Sequence, residues 1–591
     1  MRRPLRIILG LCISLVALVA CGGAAAPCPA VSGPAPTLAP TTTAPAPPSG
    51  PSASEADVTL VLRPAVSPAR VHVEVTFALP GGGPASGKIA RGAADHVAHA
   101  TGHDASGDIG IQVGPGSPGV DLRLDRASKG PVTLAYDVLA GGDAPDDPLG
   151  VLVLDDRFRG AGESLVALPL GAEQVEAQKN TLIRIDGEAL RAPGAASSIG
   201  VGASRRTTLP PWALRGMSFM AGSLGVEVID DPAAGHDEGA WLGYTAFDPR
   251  PTVAEIAQIR SSLRELLKSD VDPLSYAYLF VAQTRPLGSF TTTPRWRSIL
   301  LQVGPSEPWS ASLRLSVAQQ LARRWIGGSL VVSEHQANGW WFNEGVSRYM
   351  AMLDLAHIGL LTPDEVRDAI AGELSVLATS PHRTLDNARL AELAPKDEVA
   401  RATLMARGAL YALYEAAILR TKSKGQHSLA DVLRVLIAQA EGLKQPDVPL
   451  SMWLGAVSKN DPDAEKTFDA LITHGGPIVL PADALGPCFR ASIGEYTAFD
   501  PGFDLEATRA STDSRVSGVR PDGPAARAGL RDGDVVETMQ SRDGDGTVPI
   551  KLVVQRAGAK VTLSYLPRGP HGRGQVWSRL KVPDDRCGEP P

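Results

Sequence analysis

The segment Ser316–Met350, with the sequence SVAQQLARRWIGGSLVVSEHQANGWWFNEGVSRYM, decides the fold. It is laid out as a pair of helices joined by a loop. On the first helix, Gln319 and Arg323 are four positions apart, so both side chains face the same way. Gln320 follows Gln319, and Glu344 belongs to the second helix. The segment therefore has the layout of a two-helix active site, and the identity of these four residues decides what chemistry it can perform.

The pattern RRWIGG…WWFNEG resembles HExxHxW…WxxEG, which the aminopeptidase N and glycyl aminopeptidase families share. Trp325 falls at the Trp of these families, and Trp340–Gly345 falls at their Glu-Gly segment, with slightly longer spacing between the two. The resemblance implies a thermolysin-like, mostly α domain of the gluzincin type. In such peptidases two histidines and a glutamate of the second helix bind zinc. The glutamate of the first helix polarises the zinc-bound water as a general base.

The residues that would perform this chemistry differ here. Gln319 and Arg323 stand at the two histidine positions, and Gln320 stands at the position of the general base. A Gln amide is a poor zinc ligand without a usable pKa, and an Arg is permanently cationic and repels a metal ion. Glu344 alone cannot hold zinc against water. We therefore expect zinc to be lost and an Arg323–Glu344 ion pair to fill the vacant site, although Glu344 could also simply hold the start of its helix.

Two further segments of these families have also lost their chemistry. The families carry a Tyr in YxKGA that stabilises the tetrahedral intermediate, and Met405 stands at that position in the matching MARGA. Tyr411 and Tyr414 are displaced from it by more than a helical turn. The substrate-binding edge strand of the families carries an acid or a histidine, whereas the corresponding residues 285–304, RPLGSFTTTPRWRSILLQVG, contain no acid.

The flanking regions predict the domain organisation of a multidomain α+β protein. Short alternating runs between Gly, Pro and Asp turns predict an N-terminal β-sandwich over residues 57–204. Helical periodicity predicts the mostly α domain over residues 205–478, with a short α/β part at its start. Strands return over residues 479–591. The run RGAADHVAHATGHDASGD, residues 91–108, resembles the N-terminal domain of glycyl aminopeptidases, whose domain order ends in a PDZ domain.

The C-terminal segment SRVSGVRPDGPAARAGLRDGDVVETM, residues 514–539, resembles the core of a bacterial PDZ domain. In this resemblance a strand leads into the short helix GPAARAGL, and a tight turn enters the strand at GDVV. Gly502, Phe503, Asp504 and Leu505 resemble the loop that receives a peptide carboxylate on its backbone N–H groups. PDZ domains bind a peptide by adding it as a strand to a sheet edge. The expected partners are therefore the C-termini of peptides or proteins.

The first 21 residues, MRRPLRIILGLCISLVALVAC, have the charged, apolar and small-residue order of a signal peptide. Their ending resembles a bacterial lipobox, which implies lipidation of Cys21; an ordinary signal or a short membrane helix is the alternative. Residues 22–56 are rich in Ala, Pro and Thr and are expected to form a disordered tether. We expect a membrane-anchored lipoprotein of the bacterial cell envelope that faces the periplasm or the exterior.

Charge and cysteine usage limit the partners. A net charge of −7 and a pI near 5.9 argue against nucleic acid. Cys488 and Cys587 bracket the last segment, and export permits a disulfide between them, although two separate buried thiols remain possible.

Some other polar residues could suggest a metal. His96, His99 and His103 have a spacing that could bind a metal on a helix, but the resemblance places them on a strand and a loop. Glu334 and His335 could be replacement ligands or an ordinary solvated loop pair.

These observations favour a lipid-anchored envelope pseudopeptidase without a cofactor. It would act as a peptide-binding or protein-binding scaffold through its PDZ domain and its inactive aminopeptidase-like groove. The alternative is an active zinc metallo-aminopeptidase, or another hydrolase with a rearranged site, which the intact architecture and Glu344 keep open.

Overall fold

The structure of the protein is a computed structural model. It describes residues 56–78, 86–140, 147–191, 194–231, 235–243, 245–268, 275–282, 290–332, 336–511, 513–542, 544–583 and 587. The expected signal peptide, Cys21 and nearly all of the expected tether lie outside these residues, as do Glu334 and His335. Within them, no helix combines the length and the apolar character needed to cross a membrane.

The N-terminal region is built from two sheets that enclose an apolar core. The described strands form a ten-stranded sheet in the order β10-β3-β6-β5-β4-β7-β2-β1-β11-β14 and a five-stranded sheet in the order β13-β12-β15-β9-β8. Alternate residues of each long strand point into the core, as on Ala69–Phe77. The elements are β1 Val58–Val66, β2 Ala69–Phe77, β3 Ser86–Ile89, β4 Val97–Asp104, β5 Gly107–Pro115, β6 Val120–Leu124, β7 Val132–Leu139, β8 Leu152–Leu154, β9 Arg157–Ala161, α1 Gly162–Leu165, β10 Leu168–Pro169, β11 Lys179–Ile185, β12 Gly194–Ser197, β13 Gly200–Val201, β14 Ser204–Leu209 and β15 Ser218–Gly222.

The β-rich region extends beyond residue 204, where the sequence placed its end. Strand β14 begins at Ser204 and pairs with β11, and β15 pairs with both β9 and β12. Both strands therefore belong to the N-terminal sheets, which continue to Gly222. The polar, alternating sequence of β14, with burial only at its last residue, gives little hydrophobic signal for a strand.

The middle region starts with a mixed sheet and continues as helices. The sheet has the order β16-β17-β18-β20-β19, with parallel pairs in its centre and an antiparallel strand at each edge. Its core is continuous with that of the helices. The elements are β16 Leu224–Asp231, β17 Gly235–Leu242, α2 Pro249–Leu267, β18 Ser275–Ala282, β19 Thr291–Arg295, β20 Ser298–Val303, α3 Ala311–Ala322, β21 Val331–Val332, a π-helical turn Trp341–Val346, α4 Ser347–His357, α5 Pro363–Thr379, α6 Asn387–Leu393, α7 Glu398–Lys422, α8 Leu429–Leu443, β22 Asp447–Val448, α9 Leu450–Ser458 and α10 Ala464–Phe468.

Side-chain caps set the starts of these helices. Ser310 accepts a hydrogen bond from the backbone N–H of Leu313 at the start of α3. Thr362 and Glu365 form a reciprocal capping box on α5, and Asp397 caps α7. The caps fix where α3, α5 and α7 begin, and these three helices carry most of the side chains discussed below.

The C-terminal region contains a long antiparallel strand pair and a small sheet with its own core. Strand β23 pairs with β27, and β24, β25 and β26 form the small sheet. Before the short helix at Pro524, the expected strand is reduced to one bridge between Arg515 and Val535. The elements are β23 Phe489–Phe499, α11 Leu505–Ala510, α12 Pro524–Arg527, β24 Val535–Gln540, β25 Ile550–Arg556, β26 Ala559–Tyr565 and β27 Arg568–Arg579.

The disulfide expected between Cys488 and Cys587 is present, with a Cα–Cα distance of 5.0 Å. Both cysteines are buried, and they belong to the same apolar core as the helices of the middle region. The bond therefore ties the last described residue of the chain to the start of the β23–β27 strand pair.

Candidate functional site

Three elements position the side chains that the sequence singled out. Helix α3 carries Gln319 and Gln320, and Arg323 follows at its end. Glu344 lies on the π-helical turn that precedes α4, and α3 packs against α4. Gln319 is only 4% exposed. The structure therefore brings the four positions of the expected two-helix site together.

Arg323 and Glu344 form the ion pair expected from the sequence. Nη2 of Arg323 lies 2.9 Å from Oε1 of Glu344, and the two side chains are 31% and 16% exposed. Gln319 Nε2 donates to Oε2 of Glu344 and to its backbone carbonyl, both at 3.3 Å. Burial raises the pKa of the Glu344 carboxyl above its ordinary value, and Arg323 and Gln319 act in the opposite direction. The carboxylate that would have bound a metal ion is thus held by a guanidinium and an amide.

The hydrogen bonds continue beyond this pair. Nη1 of Arg323 donates to Oε1 of Gln320 at 3.2 Å. Nη1 of Arg348 donates to Oε1 of Gln319 at 3.3 Å, and its Nε donates to Glu373 on α5 at 3.0 Å. Both ends of the Gln319 amide are therefore used, which fixes its orientation. Each charge in this network faces an opposite charge.

Sequence reasoning did not single out Arg348 or Glu373. Arg348 lies four residues after Glu344, so the helical i, i+4 relation places it on the same face. That relation was available from the sequence. The contact of Arg348 with Glu373 joins residues of two different helices and depends on how α4 packs against α5.

The other residues of the motif pack the helices against each other. Gly345 lies against α7 so closely that an added Cβ would stand 2.6 Å from the Cα of Gly408. A Cβ on Gly408 would stand 1.8 Å from the carbonyl oxygen of Trp341. Trp325 is fully buried, and Trp341 packs edge-on against Trp453. These residues build the scaffold, and none of them supplies chemistry.

Helix α7 carries the position of the expected catalytic tyrosine. Met405 stands there and is partly buried. Tyr411 is fully buried among aromatic rings, and its hydroxyl accepts a hydrogen bond from Trp453 Nε1 at 3.4 Å. Burial raises its pKa well above the ordinary value. Tyr411 is therefore a core residue and does not replace the missing tyrosine.

Strand β19 is the edge strand that the sequence compared with a substrate-binding strand. It lies beside α3, where the hydroxyl groups of Thr292 and Ser316 are 2.6 Å apart. Arg295 at its end forms a two-point contact with Glu163 of the N-terminal region. The strand keeps its place beside the substituted helix.

The histidines that could have suggested a metal site have separate partners. His99 Nδ1 contacts Asp137 at 2.9 Å, and His103 Nδ1 contacts Asp108 at 3.0 Å. His96 lies in a short helical turn before β4. Across the described ranges, no three His, Cys, Asp or Glu side chains are arranged to hold a metal ion.

The loop expected to receive a peptide carboxylate makes contacts within the protein. The N–H of Gly502 donates to Asp500 at 2.8 Å, and the N–H of Asp504 donates to the carbonyl of Ser517 at 2.9 Å. Asp504 caps α11, which begins at Leu505, and both Phe503 and Leu505 are buried in the C-terminal core. Carboxylate binding at this loop stays a prediction, because the N–H groups of Gly502 and Asp504 already donate to partners within the protein.

Comparison with known proteins shows the fold. No protein-family model and no curated protein matches the chain. Among solved structures, an aminopeptidase N family protein from Idiomarina loihiensis is similar, with a TM-score of 0.64 and 16% identity, over 90% of this chain and 100% of that one. An M1 zinc metallopeptidase from Deinococcus radiodurans has a TM-score of 0.44 and 15% identity, over 72% of this chain and 94% of that one. Leukotriene A4 hydrolase from Saccharomyces cerevisiae has a TM-score of 0.45 and 13% identity, over 72% of this chain and 68% of that one.

The first of these similarities carries the structural conclusion. Its coverage of 90% is more than the N-terminal and middle regions together can supply, so it extends into the C-terminal region. At 16% identity it establishes a common peptidase-like fold and nothing about chemistry. What the chain can do must therefore be argued from its own side chains.

Proposed function

We propose that the protein is a pseudopeptidase, a binding protein built on a peptidase fold that neither holds zinc nor hydrolyses peptides. The observation that carries this proposal is the Arg323–Glu344 pair at 2.9 Å. A zinc ion at this place would need Glu344 as a ligand, and it would stand beside the permanent charge of Arg323. The pair uses the one remaining ligand and supplies a positive charge where the metal's own charge would be.

The electrostatics around Glu344 support the same proposal. Arg323 and Arg401 both act on its carboxylate, and Arg348 is linked to it through Gln319. Gln320 has no accessible pKa and cannot serve as a general base. A hydrolytic water would find neither a metal ion nor a base at these four positions.

A cleft beside this network supports a binding role. It has a volume of about 1380 Å³ and is lined by the first turn of α3, by one face of α5 and by the facing ends of β23 and β27. Arg348 and Glu373 form part of its wall, so the cleft opens next to the substituted site. Its walls include apolar positions such as Leu315 and Val376 as well as both signs of charge. This mixture suits a short extended peptide, which offers apolar side chains and backbone polar groups together.

The proposal also places the protein at a membrane. The basic, apolar and small-residue order that ends at Cys21 favours lipidation, and the following Pro-rich residues would hold the folded part away from the bilayer. We propose the bacterial cell envelope as its location. A peptide or protein segment of that compartment would be the ligand, taken either by the cleft or by the loop at Gly502–Leu505.

The first test measures zinc and hydrolysis. The purified full chain, after incubation with zinc and desalting, is analysed for metal content and assayed with aminoacyl p-nitroanilides. We expect far less than one zinc per chain and no hydrolysis above that of the Glu344→Gln variant. One bound zinc per chain, with hydrolysis that disappears in Glu344→Gln, would sink the proposal and revive the hydrolase alternative.

The second test asks whether the cleft binds peptides. Gly372 lines it, and a Cβ added there meets nothing within 4 Å, so the side chain of Gly372→Trp should enter the cleft without disturbing the helix. We expect this variant to bind a pooled library of unblocked decapeptides at least tenfold more weakly than the wild type. Gly455→Trp is the matched control, because Gly455 also lies on an open helix surface but outside the cleft. Equal loss in both variants, or in neither, would argue against the cleft.

A further inference from the structure

A second cavity lies on another side of α7. It has a volume of about 800 Å³, within the range of roughly 300–1,000 Å³ typical of small-molecule sites. Its walls are α5, the loop after α5, α7, residues 475–478 and the β23–β27 strand pair. Arg407, which lines it, is two residues from Met405, so the two side chains point about 200° apart around the helix. The cavity is therefore separate from the substituted site.

Arg407 is the unusual residue of this cavity. Its side chain is only 1% exposed, and Nη2 donates to the carbonyl of Arg383 at 3.1 Å. Nη1 is buried and finds no hydrogen-bond acceptor in the described part of the chain. Burial lowers the pKa of the guanidinium to about 10, so it remains charged at neutral pH. A buried charged donor without an acceptor destabilises the folded protein.

The charges around the cavity do not neutralise Arg407. Two further arginines, Arg383 and Arg573, line it together with His571, and Glu495 is the acid among the lining residues. Asp386 attracts Arg407, but no carboxylate of the described residues forms an ion pair with it. Basic side chains therefore outnumber acidic ones around an unsatisfied donor.

Close packing fixes the position of Arg407 and of the opposite wall. Gly475 has a left-handed φ of +67°, and a Cβ there would stand 2.9 Å from Nη2 of Arg407. On β27, a Cβ on Gly572 would stand 2.0 Å from the carbonyl oxygen of Ala378 on α5. Two glycines thus let the backbone approach on both sides, and the cavity does not depend on a loose surface loop.

We propose that this cavity binds a small organic anion whose carboxylate or phosphate group neutralises the buried charge of Arg407. Leu374, Leu377 and Ile478 supply an apolar surface for the rest of the molecule. Arg573 and His571 at the rim attract the anion and shorten its search for the cavity. The ligand is thus amphiphilic, with one charged head group and an apolar body. This site is independent of the peptide cleft and of the proposed loss of catalysis.

The test is calorimetric titration of the full chain with three probes that share one apolar body. Hexanoate and hexyl phosphate carry the two candidate head groups, and 1-hexanol carries none. We expect at least one anion to bind at least tenfold more tightly than 1-hexanol, and the tighter anion identifies the head group. Binding of neither anion, or equal binding of 1-hexanol, overturns the proposal.

Variants locate the binding. Arg407→Met keeps the length of the side chain and should weaken anion binding at least tenfold. Arg573→Gln changes an exposed residue and should weaken it about threefold, which tests the cavity without risk to the core. Arg490→Gln on the same strand pair is the control, because Arg490 is exposed and lies outside the cavity. Anion affinity that is unchanged in both Arg407→Met and Arg573→Gln also overturns the proposal.

Discussion

Arg323 and Arg407 are two arginines of the middle region with different surroundings. Arg323 faces Glu344 at 2.9 Å, and the neighbouring amides and charges are paired in turn. Arg407 is more deeply buried and lines a cavity, and no carboxylate of the described residues forms an ion pair with it. The first region has satisfied its own charges, and the second has not.

This difference separates scaffold from candidate site. Charges that are already paired gain little from a charged ligand. A buried charge without an ion-pair partner costs free energy, and an anion bound beside it recovers part of that energy. The region of the peptidase motif therefore offers less to an anion than the cavity at Arg407 does.

The largest expected effect comes from restoring the metal site. Gln319→His, Gln320→Glu and Arg323→His together place two histidines beside Glu344 and remove the guanidinium. We expect the bound zinc to rise from near zero to about one per chain. Metal analysis after desalting measures it.

The control for the restored site adds Glu344→Gln to the triple variant. The loss of the third ligand should return the zinc content to near zero. If the triple variant binds no zinc while remaining folded, the backbone at Arg323 and Glu344 has moved from metal-binding geometry, and the paired network has replaced the site more deeply than side-chain identity suggests.

The next effect concerns the contact of α7 with the turn that carries Glu344. Gly408→Ala would place a Cβ 1.8 Å from the carbonyl oxygen of Trp341. We expect the free energy of unfolding to fall by about 3 kcal/mol, because the helix must move away from the turn, and urea denaturation measures it. Alanine is the better helix former, so intrinsic propensity predicts a change of the opposite sign.

Gly372→Ala is the matched control for this helix contact. Gly372 also lies inside a helix, but an added Cβ meets nothing within 4 Å. There we expect a gain of roughly 0.5–1 kcal/mol from helix propensity alone. Equal effects of the two substitutions would contradict the close approach of α7 to Trp341.

The sequence predicted these two regions very unequally. The substituted site was predicted down to the Arg323–Glu344 pair, because a motif fixes which residues of two helices meet. The disulfide between Cys488 and Cys587 was likewise within reach, since two cysteines remained in the folded part of a chain that the sequence predicts to be exported. Alternating strands predicted the β-rich N-terminal region. Its end near Gly222 was not predicted, because β14 is polar and only its last residue is buried.

The cavity at Arg407 was beyond sequence reasoning for a physical reason. Arg407 is one arginine in an apolar helix, and its burial depends on residues that are distant in sequence, such as Gly475 and Gly572. In the C-terminal region, the motif predicted the strand at Val535 correctly. The structure adds a helix over Leu505–Ala510 that Asp504 caps, and an Asp before such a segment is a capping signal readable from the sequence.

A smaller effect tests the paired arginine. In Arg323→Met, Glu344 remains buried and loses its guanidinium partner, so we expect the free energy of unfolding to fall by about 2 kcal/mol at pH 8. Burial already raises the folded pKa of Glu344 above its ordinary 4.5, and losing Arg323 raises it further. A raised folded pKa favours the folded state at low pH and costs stability as the pH rises through it. The difference between variant and wild type should therefore shrink as the pH falls from 8 to about 4.5.

Urea denaturation at pH 4.5 and pH 8 measures this dependence. Arg490→Met, at an exposed position, should change little at either pH. A deficit of Arg323→Met that is the same at both pH values would mean that the lost packing of the side chain, and not the ion pair, stabilises the site.

The smallest effect is expected at the unpaired arginine. Arg407→Met removes a buried charge that has no ion-pair partner in the described chain, and it loses only the bond to the carbonyl of exposed Arg383. Without an anion, we expect the free energy of unfolding to stay within about 0.5 kcal/mol of the wild type or to rise. With excess hexanoate or hexyl phosphate, the wild type should gain stability and the variant should not, because only the wild type has a buried positive charge for the anion to neutralise. A loss of about 2 kcal/mol in anion-free buffer, similar to that of Arg323→Met, would mean that Arg407 is already paired, and the contrast between the two arginines would disappear.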